Sequence, residues 1–314
     1  MNRTVSVVGA GSIGVAFAVL FATSGFRVRM WDALPEVLPR ADVEIATRLE
    51  LLASHGLLTE TVEVVANRVS FHDILLEALK GAELVQECVP ERLEIKREIF
   101  QQLGAYSEPD AVLASSSSAI VSSEFATATP ARERVLIGHP GNPPYLIPVI
   151  EIVPSRYTAQ ETVGRAAEIY RAAGLKPVIV NKEIEGFLFN RLQGAVLREA
   201  YCLVRDGVAS VEDIDEVVRS GLGRRWSFIG PFETADLNTR GGIESHVEKM
   251  GPAYERMGAM RGQHDPWTPD LVENVARQRR EVLPLDEWEN RVRWRDEQLM
   301  QLKVIFDDAS GPSK

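Results

Sequence analysis

Eight short apolar runs punctuate the first part of the chain, at residues 5–8, 26–31, 68–71, 82–86, 111–114, 134–138, 147–153 and 177–180. Each has the length of a strand and is bounded by polar or turn-forming residues, which predicts eight strands. Between them lie segments whose apolar residues recur at helical spacing. Residues 15–23, 36–56, 73–79 and 159–173, and a segment opening at Glu91, are the predicted helices. In the longest, Val37, Ile45, Leu49 and Leu52 form the apolar stripe and Gly56 is the stop signal. Strands alternating with helices predict an α/β domain. Near residue 185 the texture changes. No further strand-like run occurs, and residues 187–205, 211–220 and 286–304 read as long amphipathic helices. The expected organisation is an α/β domain at 1–185 and a helical domain at 186–314, ending in a frayed tail from Asp307.

The first strand runs directly into Gly9-Ala10-Gly11-Ser12-Ile13-Gly14, and a helix follows. Gly9 makes the tight turn, Gly11 lets backbone approach a pyrophosphate, and Gly14 lets the helix pack on the strand. The free N–H groups and positive end of that helix then face the phosphates. Gly9, Gly11, Ser12, Ile13 and Gly14 are therefore expected cofactor contacts. The second strand ends on Asp32, 18 residues beyond Gly14, near the spacing of about 20 for a ribose-binding acid. A carboxylate there accepts hydrogen bonds from both ribose hydroxyls of NAD and repels the 2′-phosphate of NADP. Ala33, Leu34 and Pro35 follow with no base, so NAD is the expected cofactor. The fold class implied is a Rossmann-type doubly wound, mostly parallel sheet, followed by an all-α C-terminal domain.

Composition narrows the classes. A length of 314 residues suits about two domains. The net charge is −10 with no basic block to offset it, which argues against a general binder of nucleic acid or anionic membrane. Cys88 and Cys202 lie far apart and outside any Cys-x-x-Cys pair, so a reducing compartment without a structural disulfide is the default. No run approaches about 18 apolar residues. The first apolar run is too short for a signal peptide, and cleavage there would destroy the glycine turn. The expectation is a soluble cytoplasmic protein.

Candidate chemistry collects at the ends of the later strands. Residues 134–138 lead into His139-Pro-Gly-Asn142-Pro-Pro-Tyr145, a loop stiffened by its prolines. His55, His72, His246 and His264 sit in helical or polar loop contexts and read as surface residues. Glu151 lies inside an apolar strand, where an acid is costly unless partnered. His139 is the obvious partner, since a carboxylate on one imidazole nitrogen fixes the tautomer and raises the basicity of the ring. A buried pair without chemistry is the alternative. Ser115, Ser116, Ser117 and Ser118 end another strand, either exposing hydroxyls at the sheet edge or capping the next helix. Glu87-Cys-Val-Pro-Glu91 should lie under the cofactor. Glu91 reads equally as an acid at a helix N-terminus, and Lys96 as a solvated helix charge. No metal is expected.

The order GAGSIG, Asp32, ECVPE, a serine-rich strand end, HPGNPP, IEIV and GFLFNRL resembles the 3-hydroxyacyl-CoA dehydrogenase superfamily over nearly the whole chain. The twelve-residue separation of His139 and Glu151 matches that family's motif. The stretches QECVPERLEIKREIF, HPGNPPYLIPVIEIVP, FNRLQGAVLREAYCLV and GLGRRWSFIGPFETADLN are similar to its lambda-crystallin branch, which includes L-gulonate 3-dehydrogenase. The resemblance implies an NAD-dependent oxidoreductase and a homodimer. It implies His139 as the general base that takes the hydroxyl proton as hydride leaves, and Glu151 as its orienting partner. Ser118 and Asn190 match the residues that hydrogen-bond the reacting oxygen. Asn142, Glu91, Lys96 and the glycine turn match cofactor-side positions. Ser117 stands where Thr is common in the family.

Substrate choice turns on charge. An acyl-CoA carries a 3′-phosphate and a pyrophosphate, and a site for it profits from lysines on the 36–56 helix. Besides His55, that helix has Arg40 and Arg48. A small polyhydroxy acid needs instead a cation for its carboxylate, and Arg225, beside Arg224 and Trp226, is the expected one. The alternative for these arginines is a surface pair or a dimer salt bridge. The expected reaction is the NAD-dependent oxidation of the 3-hydroxyl of a small hydroxy acid, L-gulonate to 3-dehydro-L-gulonate. L-carnitine is the second reading, with Trp226, Tyr145 and Phe228 as an aromatic cage. 3-Hydroxybutyryl-CoA is the third. A non-catalytic, crystallin-like NAD-binding protein is the reading of a different class, and the intact set of Ser118, His139, Glu151 and Asn190 argues against it.

Overall fold

The computed structural model describes residues 3–263 and 268–294, together with residue 298. It divides into two compact units, Met1–Leu197 and Arg198–Lys314. The helix expected at 286–304 is described through residue 294 and is helical from residue 288. Apart from residue 298, its remainder lies outside the described residues, as do His264 and the expected tail.

In the first unit, strands and helices alternate as the apolar pattern predicts. The order is β1 (Thr4–Val8), α1 (Ser12–Thr23), β2 (Arg27–Trp31), α2 (Leu38–Ser54), α3 (Val62–Ala66), β3 (Val69–His72), α4 (Leu75–Leu79), β4 (Leu84–Glu87), α5 (Leu93–Tyr106), β5 (Val112–Ser115), β6 (Val135–Pro140), β7 (Val149–Pro154), α6 (Gln160–Ala172) and β8 (Lys176–Ile179), and then α7 (Phe189–Arg205). The five-residue α3 is too short to announce itself by period. It forms because the Thr61 hydroxyl accepts the N–H of Val64 at its start.

All eight strands form one sheet in the order β3-β2-β1-β4-β5-β6-β7-β8. Every neighbouring pair is parallel except β6 and β7. Alternate residues of a strand feed opposite faces. Val5 and Val7 of β1 join one apolar layer with α1, α2 and α6, and Val8 joins the other with α4 and α5. Helix α1 is apolar all round and buried from Gly14 to Ala22, as a helix covered on every side must be. Its start needs glycine: a Cβ on Gly14 would lie 1.8 Å from the carbonyl oxygen of Gly9. The strand order reverses between β1 and β4, and the carboxyl ends beside that point are where such sheets bind ligands.

The second unit is helical, with α8 (Val211–Glu216), a π-helical segment (Val217–Leu222), α9 (Gly223–Trp226), α10 (Pro231–Asn238), α11 (Gly242–Ala259) and α12 (Pro269–Val282). Ile229, Leu237 and Leu283 form its core with Phe228, Trp288 and Trp294. The buried carboxylate of Asp236 ties α10 to its neighbours. It accepts the N–H of Ile243 at 2.7 Å and pairs with the guanidinium groups of Arg279 and Arg280. Among the described residues, no helix is long and apolar enough to cross a membrane.

A buried ionic network holds the carboxyl edge of the sheet in the first unit. Glu87, at the end of β4, is fully buried. Its carboxylate accepts the Lys96 ammonium at 3.0 and 3.1 Å, the Ser115 hydroxyl at 2.5 Å and the N–H of Val89 at 2.7 Å. Burial pushes the Glu87 carboxyl up, against the pull of Lys96. Lys96 is likewise fully buried and lies 3.6 Å from Glu91. The expectation of a solvated helix charge fails here because its partners come from a strand end and a loop, not from its own helix. Glu91 clasps the loop after β5, accepting the Ser117 hydroxyl and the N–H groups of Ala119 and Ile120. Burial raises the Glu91 carboxyl, but the Ser117 hydroxyl, the Ile120 N–H, the Lys96 charge and the Ala119 N–H together hold it below the usual range.

Replacing Lys96 by Met leaves the Glu87 carboxylate buried without a cation, so urea unfolding should report a loss of about 3–5 kcal/mol. The Lys96→Met/Glu87→Gln double variant should recover part of that loss. A single variant within about 0.5 kcal/mol of the wild type would mean that the network does not hold the edge.

Candidate active site

The one antiparallel pair of the sheet sets the central contact. In the register of β6 and β7, His139 lies directly opposite Glu151. Both are buried, and His139 Nδ1 is 2.7 Å from Glu151 Oε2. A carboxylate only accepts, so Nδ1 carries the proton and Nε2 is left as the basic nitrogen. The other carboxylate oxygen, Oε1, accepts the N–H of Leu188 at 2.6 Å and of Phe189 at 3.1 Å, where α7 begins. The acid inside the apolar strand thus has three donors, which meets the cost of burying it.

A cavity of about 410 Å³ opens beside the imidazole. Five expected site residues line it: Ile13 from the glycine turn, Ser118 from the loop after β5, His139, Asn142 from the proline loop, and Asn190 from α7. The Asn190 amide donates to the Ser118 carbonyl at 3.4 Å. Ser116 and Gln193 also line the cavity, beyond the expected set. Gln193 follows Asn190 by three residues, which puts it on the same face of the helix; that spacing is the signal the sequence offers for it. Glu151 stands behind His139, outside the lining.

The cofactor side is built at the neighbouring strand ends. Helix α1 starts behind Gly11 with no side-chain cap and no acid in its first turn. A Cβ on Gly11 would meet nothing within 4 Å. The helix N-terminus therefore faces open space with its backbone donors uncapped by any side chain, which fits a pyrophosphate. Asp32 follows β2 and is aimed at this turn. Its Oδ2 accepts the N–H of Ala10 at 2.7 Å and its Oδ1 the N–H of Leu34 at 2.9 Å, leaving lone pairs for ribose hydroxyls. Arg48 of α2, read from the sequence as a helix cation, reaches Ser12 at 3.3 Å, pairs with Glu44 and lies 6.0 Å from the Tyr145 ring. The residues present fit a dinucleotide. Lys96 makes no such approach, its ammonium being enclosed by Glu87, Glu91 and Ser115.

Arg225 belongs to the second unit. It lines a cavity of about 500 Å³ there with Trp226, Phe232, His246 and Tyr254, and its guanidinium lies 3.5 Å from Asn238 Oδ1. Of the aromatic residues considered for a cage, Trp226 lines this cavity, Phe228 packs edge-on against Trp294, and Tyr145 belongs to the first unit near Arg48.

Residues 4–184 match the NAD binding domain of 3-hydroxyacyl-CoA dehydrogenase, and residues 186–282 match its C-terminal domain. The lambda-crystallin of Oryctolagus cuniculus is 38% identical over 305 residues, covering 96% of this chain and 95% of its own. An L-carnitine dehydrogenase of a Pseudomonas species is 36% identical over 278 residues, covering 87% of this chain and 83% of its own. Among solved structures, a 5-formyl-3-hydroxy-2-methylpyridine 4-carboxylic acid 5-dehydrogenase, an NAD+-dependent dismutase, superposes with a TM-score of 0.71 at 28% identity, over 91% of this chain and 98% of that one. With both domains matched and relatives of this similarity along nearly its full length, the chain belongs to the 3-hydroxyacyl-CoA dehydrogenase family of NAD-dependent dehydrogenases.

Proposed function

We propose that this dehydrogenase oxidises the 3-hydroxyl of a small polyhydroxy acid, with L-gulonate to 3-dehydro-L-gulonate as the reaction. The lining of the His139 cavity carries the reading. Ser116, Ser118, Asn190 and Gln193 offer neutral hydroxyl and amide groups, which suit a substrate with several hydroxyls. That lining has no acid and, besides the His139 imidazole, one aromatic ring, Phe189, so it offers little to a trimethylammonium group. On α2, Arg48 is engaged by Glu44 and Ser12, which weakens the case for a CoA phosphate there.

In this reading, Gly9, Gly11, Ser12, Ile13 and Gly14 hold the pyrophosphate of NAD and Asp32 its ribose. Asn142 and Glu91 complete the cofactor side, and Lys96 acts there through Glu91. NAD, when bound, accepts the hydride. His139 Nε2 takes the proton of the substrate hydroxyl, and Glu151 Oε2 stabilises the imidazolium that results. Ser118 and Asn190 donate to the reacting oxygen, which becomes the carbonyl of the product. Arg225 is assigned to the substrate carboxylate on its chemistry alone. The exposed Leu192, Tyr201 and Val204 of α7 support a homodimer through the helical domain.

The direct test follows NADH formation with L-gulonate, L-carnitine and 3-hydroxybutyryl-CoA. Hydroxyl-binding groups left unpaired by the wrong substrate should favour L-gulonate by about 10-fold or more in kcat/KM. Turnover of the CoA ester alone would sink the sugar-acid reading. His139→Ala should lower kcat by about 10²–10⁴-fold while NADH binding, read by fluorescence, is unchanged; retained turnover would remove His139 from its role. Asp32→Ala should raise KM for NAD by about 10-fold or more, the scale of one charge-assisted hydrogen bond, and narrow the preference over NADP. An unchanged preference would show that Asp32 does not read the ribose.

A further inference from the structure

Among the described residues, Phe187 is the one non-glycine residue with a positive φ, at 48°. A side chain makes that left-handed conformation costly, and it persists only where the surroundings over-determine it. Phe187 is fully buried, and its ring centroid lies 5.4 Å from that of His139. It is not among the residues lining the cavity.

The surroundings show what the conformation secures. Gly186 is also left-handed, with φ 76°. Two such residues in succession turn the chain so that the N–H groups of Leu188 and Phe189 both point at Glu151 Oε1. With Oε1 pinned by two donors, the carboxylate plane cannot rotate, and Oε2 stays aimed at His139 Nδ1. The same turn starts α7, whose second residue is Asn190. An extended or right-handed backbone at 187 would withdraw both N–H groups and reset the first turn of the helix. Glycine would meet the backbone requirement at less cost. Phenylalanine adds a ring packed against the imidazole.

We propose that Phe187 is a positioning residue of the active site: its left-handed backbone locks the start of α7 onto Glu151 while its ring braces the His139 imidazole. One residue outside the cavity lining thereby aligns both the general base and Asn190. The inference rests on the reading of His139 as the base.

Three substitutions separate backbone from ring. Phe187→Gly keeps the left-handed turn and removes the ring. Phe187→Val keeps apolar bulk, but its β-branch opposes a positive φ. Phe187→Leu keeps an apolar brace without the branch. Expected kcat losses are about 10-fold for Gly, about 10²-fold for Val and within about 3-fold of wild type for Leu, the scale that misplacing a reacting group costs. The KM for NAD and the NADH dissociation constant should not move. Rates are taken per NADH-binding site, so that lost folding is not read as lost chemistry, and melting temperatures are recorded beside them. In a His139→Ala background, the same substitutions should lower the residual rate by less than they lower the wild-type rate, because the part of their effect that acts through the base is already lost and only the part that acts through Asn190 remains.

Wild-type kcat per site in both the Gly and Val variants would overturn the inference. So would losses of equal size with and without His139. A His139→Ala enzyme that stays active overturns the general-base reading and the inference with it. An inactive His139→Ala enzyme beside fully active Phe187 variants overturns the inference alone.

Discussion

The buried carboxylate of Glu151 is the constraint on which the site depends. An isolated ionised acid in an apolar strand costs several kcal/mol after relaxation, so the fold must bring donors to it. It does so from two directions. Antiparallel pairing of β6 and β7 brings His139 to one oxygen, and the left-handed turn before α7 brings two backbone N–H groups to the other. Either set alone leaves the acid under-satisfied. Folding therefore completes the sheet edge and the helix start together. The arrangement that satisfies the acid also leaves a basic nitrogen on His139.

The same device recurs along the carboxyl edge of the sheet. Asp32 accepts backbone N–H groups from the glycine turn and from its own loop. Glu87 accepts one from Val89, and Glu91 accepts two from the loop after β5. After β2 and at the end of β4, a side-chain carboxylate accepts the N–H groups of the backbone that leaves or passes the sheet. Loops at ligand-binding edges are otherwise mobile, and an acid that accepts two donors fixes a loop's direction as well as its position. So many carboxylates in one place repel one another. The fully enclosed Lys96, touching both Glu87 and Glu91, offsets that repulsion without facing the cavity.

Much of this was legible in the sequence wherever a local rule governs it. The strands and the α1 turn follow from apolar runs and glycine placement. The His139–Glu151 pair was legible because a histidine at a strand end and an acid inside the returning strand have few other ways to be satisfied. The burial of Lys96 was not legible: its position on α5 reads as surface, and Glu87 and Ser115 reach it from two different strands. Phe187 hid for another reason. In Glu-Gly-Phe-Leu-Phe it looks like one more apolar residue entering an amphipathic helix, and no pattern of residue types reports a sign of φ. Arg48 was counted as a charge on a helix, while its approach to Ser12 depends on how α2 packs beside α1. Lys96 and Arg48 share a cause, since each depends on contacts between segments distant in sequence rather than on period or motif.

The division of labour bears on how such a site selects its substrate. In the proposed reading, His139, Glu151 and the turn at 186–187 handle a proton and are indifferent to what else the substrate carries. Selection must then come from other groups, and in that reading the neutral donors and acceptors that share the lining with Ile13, Pro140, Ile147 and Phe189 carry much of it. A hydroxyl or amide that loses water and finds no partner costs about 1–3 kcal/mol. A substrate presenting an alkyl chain to Ser116 and Gln193 would incur that cost more than once. A polyhydroxy acid would meet each group with a hydroxyl able to donate or accept. On this argument discrimination arises less from attraction to the right substrate than from polar groups that the wrong one strands.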